Sequence, residues 1–275
     1  MDTNYNVTNQ NGFEQPAKEK KGLSGSTIKM IAIVTMLIDH VGAAILGRML
    51  MANGMGSLDG TDLAATTQWL SENGTLYYTY MIFRMIGRVA FPIFCFLLVQ
   101  GFLHTSNKKK YALRLGLFAL ISEIPFDLAV TSKVLEFGYQ NVFFTLFIGL
   151  LTMMAYEAVE KKEAWSKALK VICYILVVLV GMGIANLLKT DYDAIGVFCI
   201  MMLYIFRKNK VSQIVVGCCS FIWEITAPLA FVPIGFYNGK RGWKMKYFFY
   251  AFYPVHLLIL YFICYFMGLA GYSAV

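Results

Sequence analysis

KMIAIVTMLIDHVGAAIL, residues 29–46, decides the class of this chain. With its flanks it forms an apolar run over 28–50, and about 20 such residues cross the hydrocarbon core of a bilayer as a helix. Asp39 and His40 sit side by side in the middle of the run, and Lys29 opens it. An ionised side chain at that depth costs about 2.5–3.5 kcal/mol on insertion scales, so such residues mark a pathway or a site and need partners.

The rest of the chain agrees. Of its 275 residues, 58% are hydrophobic and 15% charged, against about 25% charged in soluble domains, and the mean hydropathy is +0.60. Apolar segments fall at 28–50, 77–103, 111–130, 140–158, 167–188, 194–206, 211–236 and 247–270. These eight segments predict an all-α, polytopic transmembrane helix bundle of eight to ten helices over 23–275, held in the lipid bilayer. Pro228 and Pro233 predict that 211–236 is broken. Residues 1–22 lack an apolar core and read as a disordered, polar cytoplasmic tail rather than a cleaved leader.

Cations cluster at one set of segment ends: KEKK before the first span, KKK at 108–110, EKKEAWSK at 160–167 and RKNK at 207–210. The loop at 51–76 has Asp59, Asp62 and Glu72 and no Lys or Arg. By the positive-inside rule the N-terminus is cytoplasmic, in a plasma membrane of the bacterial type. The basic loop YNGKRGWKMK, 237–246, joins the cytoplasmic side only if 211–236 is a broken hairpin. The net charge of +8 reflects this topology and does not point to nucleic acid. The six cysteines lie in apolar runs without CxxC or Cys/His spacing, so neither disulfides nor a metal site is expected.

The charges within the spans have readable spacing. Lys29 and His40 are eleven residues apart, about 20° past three full turns, so they share a face about 16 Å apart along the axis. Asp39 points a quarter turn away. Arg84 and Arg88 are four apart on the second segment, and Glu123 and Asp127 four apart on the third. This predicts ion pairs between the two helices, or two arginines that hold a phosphate or carboxylate. Asn141 opens the fourth segment. His256 lies near mid-membrane on the last, and His104 ends the second span as an interfacial residue. Two classes fit these residues: a transporter or flippase that relays protons, and a membrane enzyme with a cavity leading to a histidine at mid-depth.

Seven stretches in order, KMIAIVTMLIDHVGAAIL, RMIGRVAFPIFCFLLVQGFLHT, YALRLGLFALISEIPFDLA, NVFFTLFIGLL, TDYDAIGV, YNGKRG and KYFFYAFYPVHLLIL, resemble the TraX family. That family is named for a membrane protein that acetylates pilin. A basic residue followed eleven positions later by His on the first helix is also similar to acyltransferase-3-type membrane enzymes. The resemblance implies an acyltransferase that takes acetyl-CoA or another acyl-CoA as donor and a peptide, pilin or glycan as acceptor. It implies His40 as catalytic base or acyl carrier, with His256 as the second candidate and Asp39 as an orienting acid. Lys29, Arg84, Arg88, Lys240 and Arg241 would bind coenzyme A phosphates, with Asn238 and Gly239 turning the loop. Glu123, Asp127 and Asn141 would support the site.

Overall fold

The computed structural model describes residues 21–243 and 246–273, so most of the tail expected over 1–22 lies outside the described residues. Among the described residues the architecture is an α-helical bundle without β-strands. Helix α1 (Gly25–Val41) opens on Ser24, whose hydroxyl accepts from Thr27 N. It continues through a π-helical turn (Gly42–Gly47) into α2 (Arg48–Ala52). Such wide turns insert an extra residue and re-aim the side chains around them; here the turn directly follows Asp39 and His40.

Helices α3 (Leu63–Gly87) and α4 (Ala90–His104) form one helical course of 42 residues, broken only at Arg88 and Val89. At 1.5 Å per residue it runs about 63 Å, twice the hydrocarbon thickness. The polar first turns of α3 therefore stand outside the core. The loop expected over 51–76 is thus mostly helix, capped by Asp62, whose carboxylate accepts from Ala65 N. Pro92 lies four residues after Arg88, whose carbonyl it cannot bond and which its ring crowds, and so places the break there. It occupies the first turn of α4, where a helix lacks partners for its N–H groups and proline is tolerated.

Helix α5 (Lys108–Thr131) packs on α6 (Val142–Glu160), which packs on α7 (Lys167–Leu187) and α8 (Asp193–Ile205). The segment 211–236 is a broken hairpin, as its prolines imply: α9 (Lys210–Ser220), a turn, a 3-10 stretch (Ala227–Ala230) with Pro228 at its start, and α10 (Phe231–Gly235). The chain closes with α11 (Lys246–Phe266), packed on α5 and touching α1.

The hairpin returns the basic loop to the end of the bundle where α1 begins. Leu23 N donates to Phe236 O, Asn238 N to Leu23 O, Gly25 N to Lys240 O and Ser26 N to Arg241 O, at 2.8–3.0 Å. Trp243 N donates to the Ser26 hydroxyl at 2.9 Å. Gly242, with φ of +73°, lets the backbone pass directly over the Ser24 and Ser26 side chains. The Lys108, Arg207 and Lys210 ends of α5, α8 and α9 lie at this same Gly25 end, tied by Lys108–Glu157 and Arg207–Glu160 ion pairs and by Lys210 Nζ donating to Tyr237 O.

At the opposite end Arg48, fully buried, donates from Nε to Tyr272 O at 2.8 Å and from Nη2 to Leu128 O and the Ser132 hydroxyl at 3.2 and 2.9 Å. One guanidinium thereby ties α2 to the end of α5 and to the C-terminal turn.

Candidate functional site

Helices α1 and α11 both begin at the Gly25 end and carry their polar residues to matching depth. His40 lies about 22 Å from Gly25, and His256 about 15 Å from Lys246. His40 Nδ1 is 2.7 Å from His256 Nε2, and the rings stack at 4.9 Å. His256 Nδ1 is 2.7 Å from Phe252 O, one turn back on its own helix. Tyr253 stands edge-on to both rings.

These hydrogen bonds fix the neutral tautomers. A carbonyl oxygen only accepts, so His256 Nδ1 carries hydrogen and its Nε2 presents a lone pair. That lone pair requires His40 Nδ1 to donate. His40 Nε2 is then the bare, basic nitrogen of the pair. His256 is buried, whereas His40 keeps partial exposure.

Asp39 points away from the histidines, as its quarter-turn offset requires. Its Oδ2 takes Arg84 Nη1 at 2.8 Å. Gly87 permits this, because a Cβ there would overlap the Asp39 carboxylate. Arg88 pairs with Glu224, in the turn of the broken hairpin, at 2.8 Å. The expected pairing of Arg84 and Arg88 with Glu123 and Asp127 is therefore corrected: α3 lies against α1, while α5 lies against α6 and α11. The two acids instead hold the turn between α5 and α6. Glu123 Oε2 accepts from the backbone and side-chain nitrogens of Asn141, and Asp127 Oδ2 accepts from Glu136 N at 2.8 Å. Asn141 also donates to Ala119 O and caps α6 at Phe143 N. All three are buried.

Lys29 and Arg241 meet in a cavity of about 680 Å3 at the Gly25 end, between the starts of α1, α5 and α11 and the end of α4. Lys29 Nζ sits 4.4 Å over the Phe249 ring, a cation–π contact. Gly239 lines this cavity and Asn238 an adjoining one of about 530 Å3. Asn238 Oδ1 accepts from Lys240 N, which holds the turn. Arg84 and Arg88 line neither cavity and are placed in the ion pairs instead. Arg114 and His104 also line the first cavity. In the sequence Arg114 is masked by the KKK just before it, whose charge reads as a topology signal. His104 donates from Nδ1 to Gln100 O, one turn back on its own helix.

The family model described as "TraX protein" matches residues 24–264. The chain belongs to the TraX family. The match starts at the Ser24 cap and ends on α11, so it covers the His pair and the linings of both cavities except Lys21 of the second. A relative is named "Probable fimbrial assembly protein FimC, serogroup H1", from Dichelobacter nodosus. It is 28% identical over 268 residues, covering 86% of this chain and 94% of that protein. No solved structure matches the chain.

Proposed function

We propose that this integral membrane protein is an acyltransferase, with acetyl as its group, that carries the acyl moiety of a cytoplasmic acyl-CoA to an amine or hydroxyl of a peptide, pilin or glycan. The tautomer chain from Phe252 O through His256 to His40 carries the reading, because it leaves His40 Nε2 as an oriented base. Imidazole suits the task, with a reference pKa near working pH. Membership of the TraX family and a relative named for fimbrial assembly support the choice of acceptor. The cations gathered at the Gly25 end support a cytoplasmic donor side.

In the reaction, the acceptor nitrogen or oxygen attacks the thioester carbonyl while His40 Nε2 takes its proton. The C–S bond then breaks, and the leaving thiolate recovers that proton from His40 as the thiol. His256 Nε2 accepts from His40 Nδ1 throughout and steadies the transient imidazolium. In a two-step version, His40 Nε2 attacks the thioester itself and the C–S bond breaks to expel the thiolate; the acceptor then takes the acyl group from Nε2, and the proton it sheds goes to the thiolate. Lys29 and Arg241 would take the donor's phosphates. Lys29 stands about 16 Å before His40 along one helix face, a gap suited to an extended pantetheine arm.

A proton-coupled transporter or flippase is the second reading, favoured by the Asp39–Arg84 and Arg88–Glu224 pairs at the helix break. Purified protein in nanodiscs, given labelled acetyl-CoA, separates the two. Thiol release and acetyl labelling that vanish in His40→Ala support the enzyme. Absence of both with pilin peptides and glycans, together with absence of coenzyme A binding, rejects it.

A further inference from the structure

Two cavities open at the Gly25 end, and the reaction above uses only the first. Their volumes, about 680 and 530 Å3, fall within the roughly 300–1,000 Å3 of small-molecule sites. They share a wall formed by Gln100, Tyr237 and Gly239. Tyr237 stands edge-on to Phe96 at 5.4 Å, so its ring is held in place. Lys29, Arg114 and Arg241 line the first cavity, and Arg114 Nε is buried with no hydrogen-bond partner. Lys21, Arg207 and Lys210 line the second. Arg207 is committed to Glu160. Lys210 gives a hydrogen to Tyr237 O, and an ammonium has three to give, so both lysines can serve a ligand. Among the described residues, neither lining includes an acid.

Concave walls of one charge concentrate the field on an anion. Two such hollows beside a fixed aromatic ring suit a ligand with anionic groups at two points of a sugar that also bears a flat base, since nucleobases stack on aromatic faces. We propose that the cavities form one bipartite site. Lys29, Arg114 and Arg241 hold the diphosphate of the acyl donor. Lys21 and Lys210 hold a separate phosphate monoester at its nucleotide end, the 3′-phosphate of coenzyme A. This rests on the donor reading above and narrows it, because a carrier-protein thioester or an acyl phosphate lacks the second anion.

The test is titration of the full chain with coenzyme A and with 3′-dephospho-coenzyme A, in nanodiscs of phosphatidylcholine alone and of phosphatidylcholine with phosphatidic acid. One charge-assisted phosphate hydrogen bond gives a preference for coenzyme A of roughly 10- to 100-fold. Lys210→Ala abolishes the preference and leaves the dephospho affinity unchanged. Lys21→Ala does the same and serves if Lys210→Ala does not fold. Equal affinity in the wild type overturns the bipartite site and leaves the donor reading standing. A preference that disappears when phosphatidic acid is added assigns the second cavity to a lipid headgroup and also overturns it. Binding of neither thiol ends both readings. Adenosine 3′,5′-bisphosphate binding that depends on Lys210, with no thioester turned over, keeps the anion site and removes the donor.

Discussion

His40 Nδ1 and His256 Nε2 meet at 2.7 Å across 216 residues of sequence. The Phe252 carbonyl beyond them makes the pair directional, with its free basic nitrogen on His40. In the proposed reaction His40→Ala removes the base itself, and acyl transfer should fall by about 10²–10⁴-fold, the usual contribution of a positioned acid–base group. His256→Ala keeps the base but leaves it unoriented. The expected result is a fall in kcat with KM for the donor nearly unchanged, together with an altered pH–rate profile. An effect of His256→Ala on KM alone would show that the pair does not act as a unit.

The first cavity makes a different prediction. If Lys29 and Arg241 hold the donor as proposed, Lys29→Ala and Arg241→Ala remove interactions made equally in ground and transition states, so KM should rise with little change in kcat. Each missing charge-assisted hydrogen bond costs about 1.5–3 kcal/mol, or roughly 10- to 100-fold in affinity. Raising ionic strength should weaken donor binding in the wild type more than in either variant. Michaelis curves at two salt concentrations check both statements.

Asp39 and Arg84 form a mostly enclosed pair, with side-chain exposures of 17% and 23%. Removing one partner strands the other, at a cost of up to about 3 kcal/mol in enclosed sites. Asp39→Ala and Arg84→Ala should each lower the unfolding temperature in detergent, and the double variant should recover part of the loss. Gly87→Val forces the same rupture by steric overlap and should resemble the single variants. Additive losses in the double variant would show that the pair carries no coupling.

Arg48 is a purely structural test. It is fully buried and ties three segments through backbone and hydroxyl acceptors. Arg48→Met leaves those acceptors without donors and should cost about 2–4 kcal/mol. Thermal unfolding should shift down while donor binding by the folded fraction is unchanged, because Arg48 lies at the end opposite the cavities.

Much of this fold is legible in the sequence because period and charge are local signals. The eight apolar segments, the broken hairpin marked by Pro228 and Pro233, and the shared face of Lys29 and His40 all follow from spacing along one chain. Partner choice is not local. Nothing in RMIGR says that Arg84 turns to α1 and Arg88 to the hairpin; that follows from which helices pack together. The polar start of α3 reads as a loop because it lacks an apolar stripe, yet it stands beyond the hydrocarbon, where a helix needs none. Arg48 gives no signal in the sequence because its three acceptors come from segments 80 to 224 residues away.

The pairing of Leu23 with Tyr237 has a consequence for biosynthesis. Both the cavity mouth and the histidine pair join α1 to segments made more than 200 residues later. Until Tyr237 emerges, the stretch after residue 21 has no backbone to pair with. Until His256 is inserted, His40 stands in the membrane without its acceptor, and an unpaired polar group there costs several kcal/mol. Helix α1 must therefore wait, half-satisfied, until α11 arrives and completes the pair. A chain released just before α11 carries Lys29, Arg114 and Arg241, the cations of the first cavity, and a His40 with no His256 to orient it.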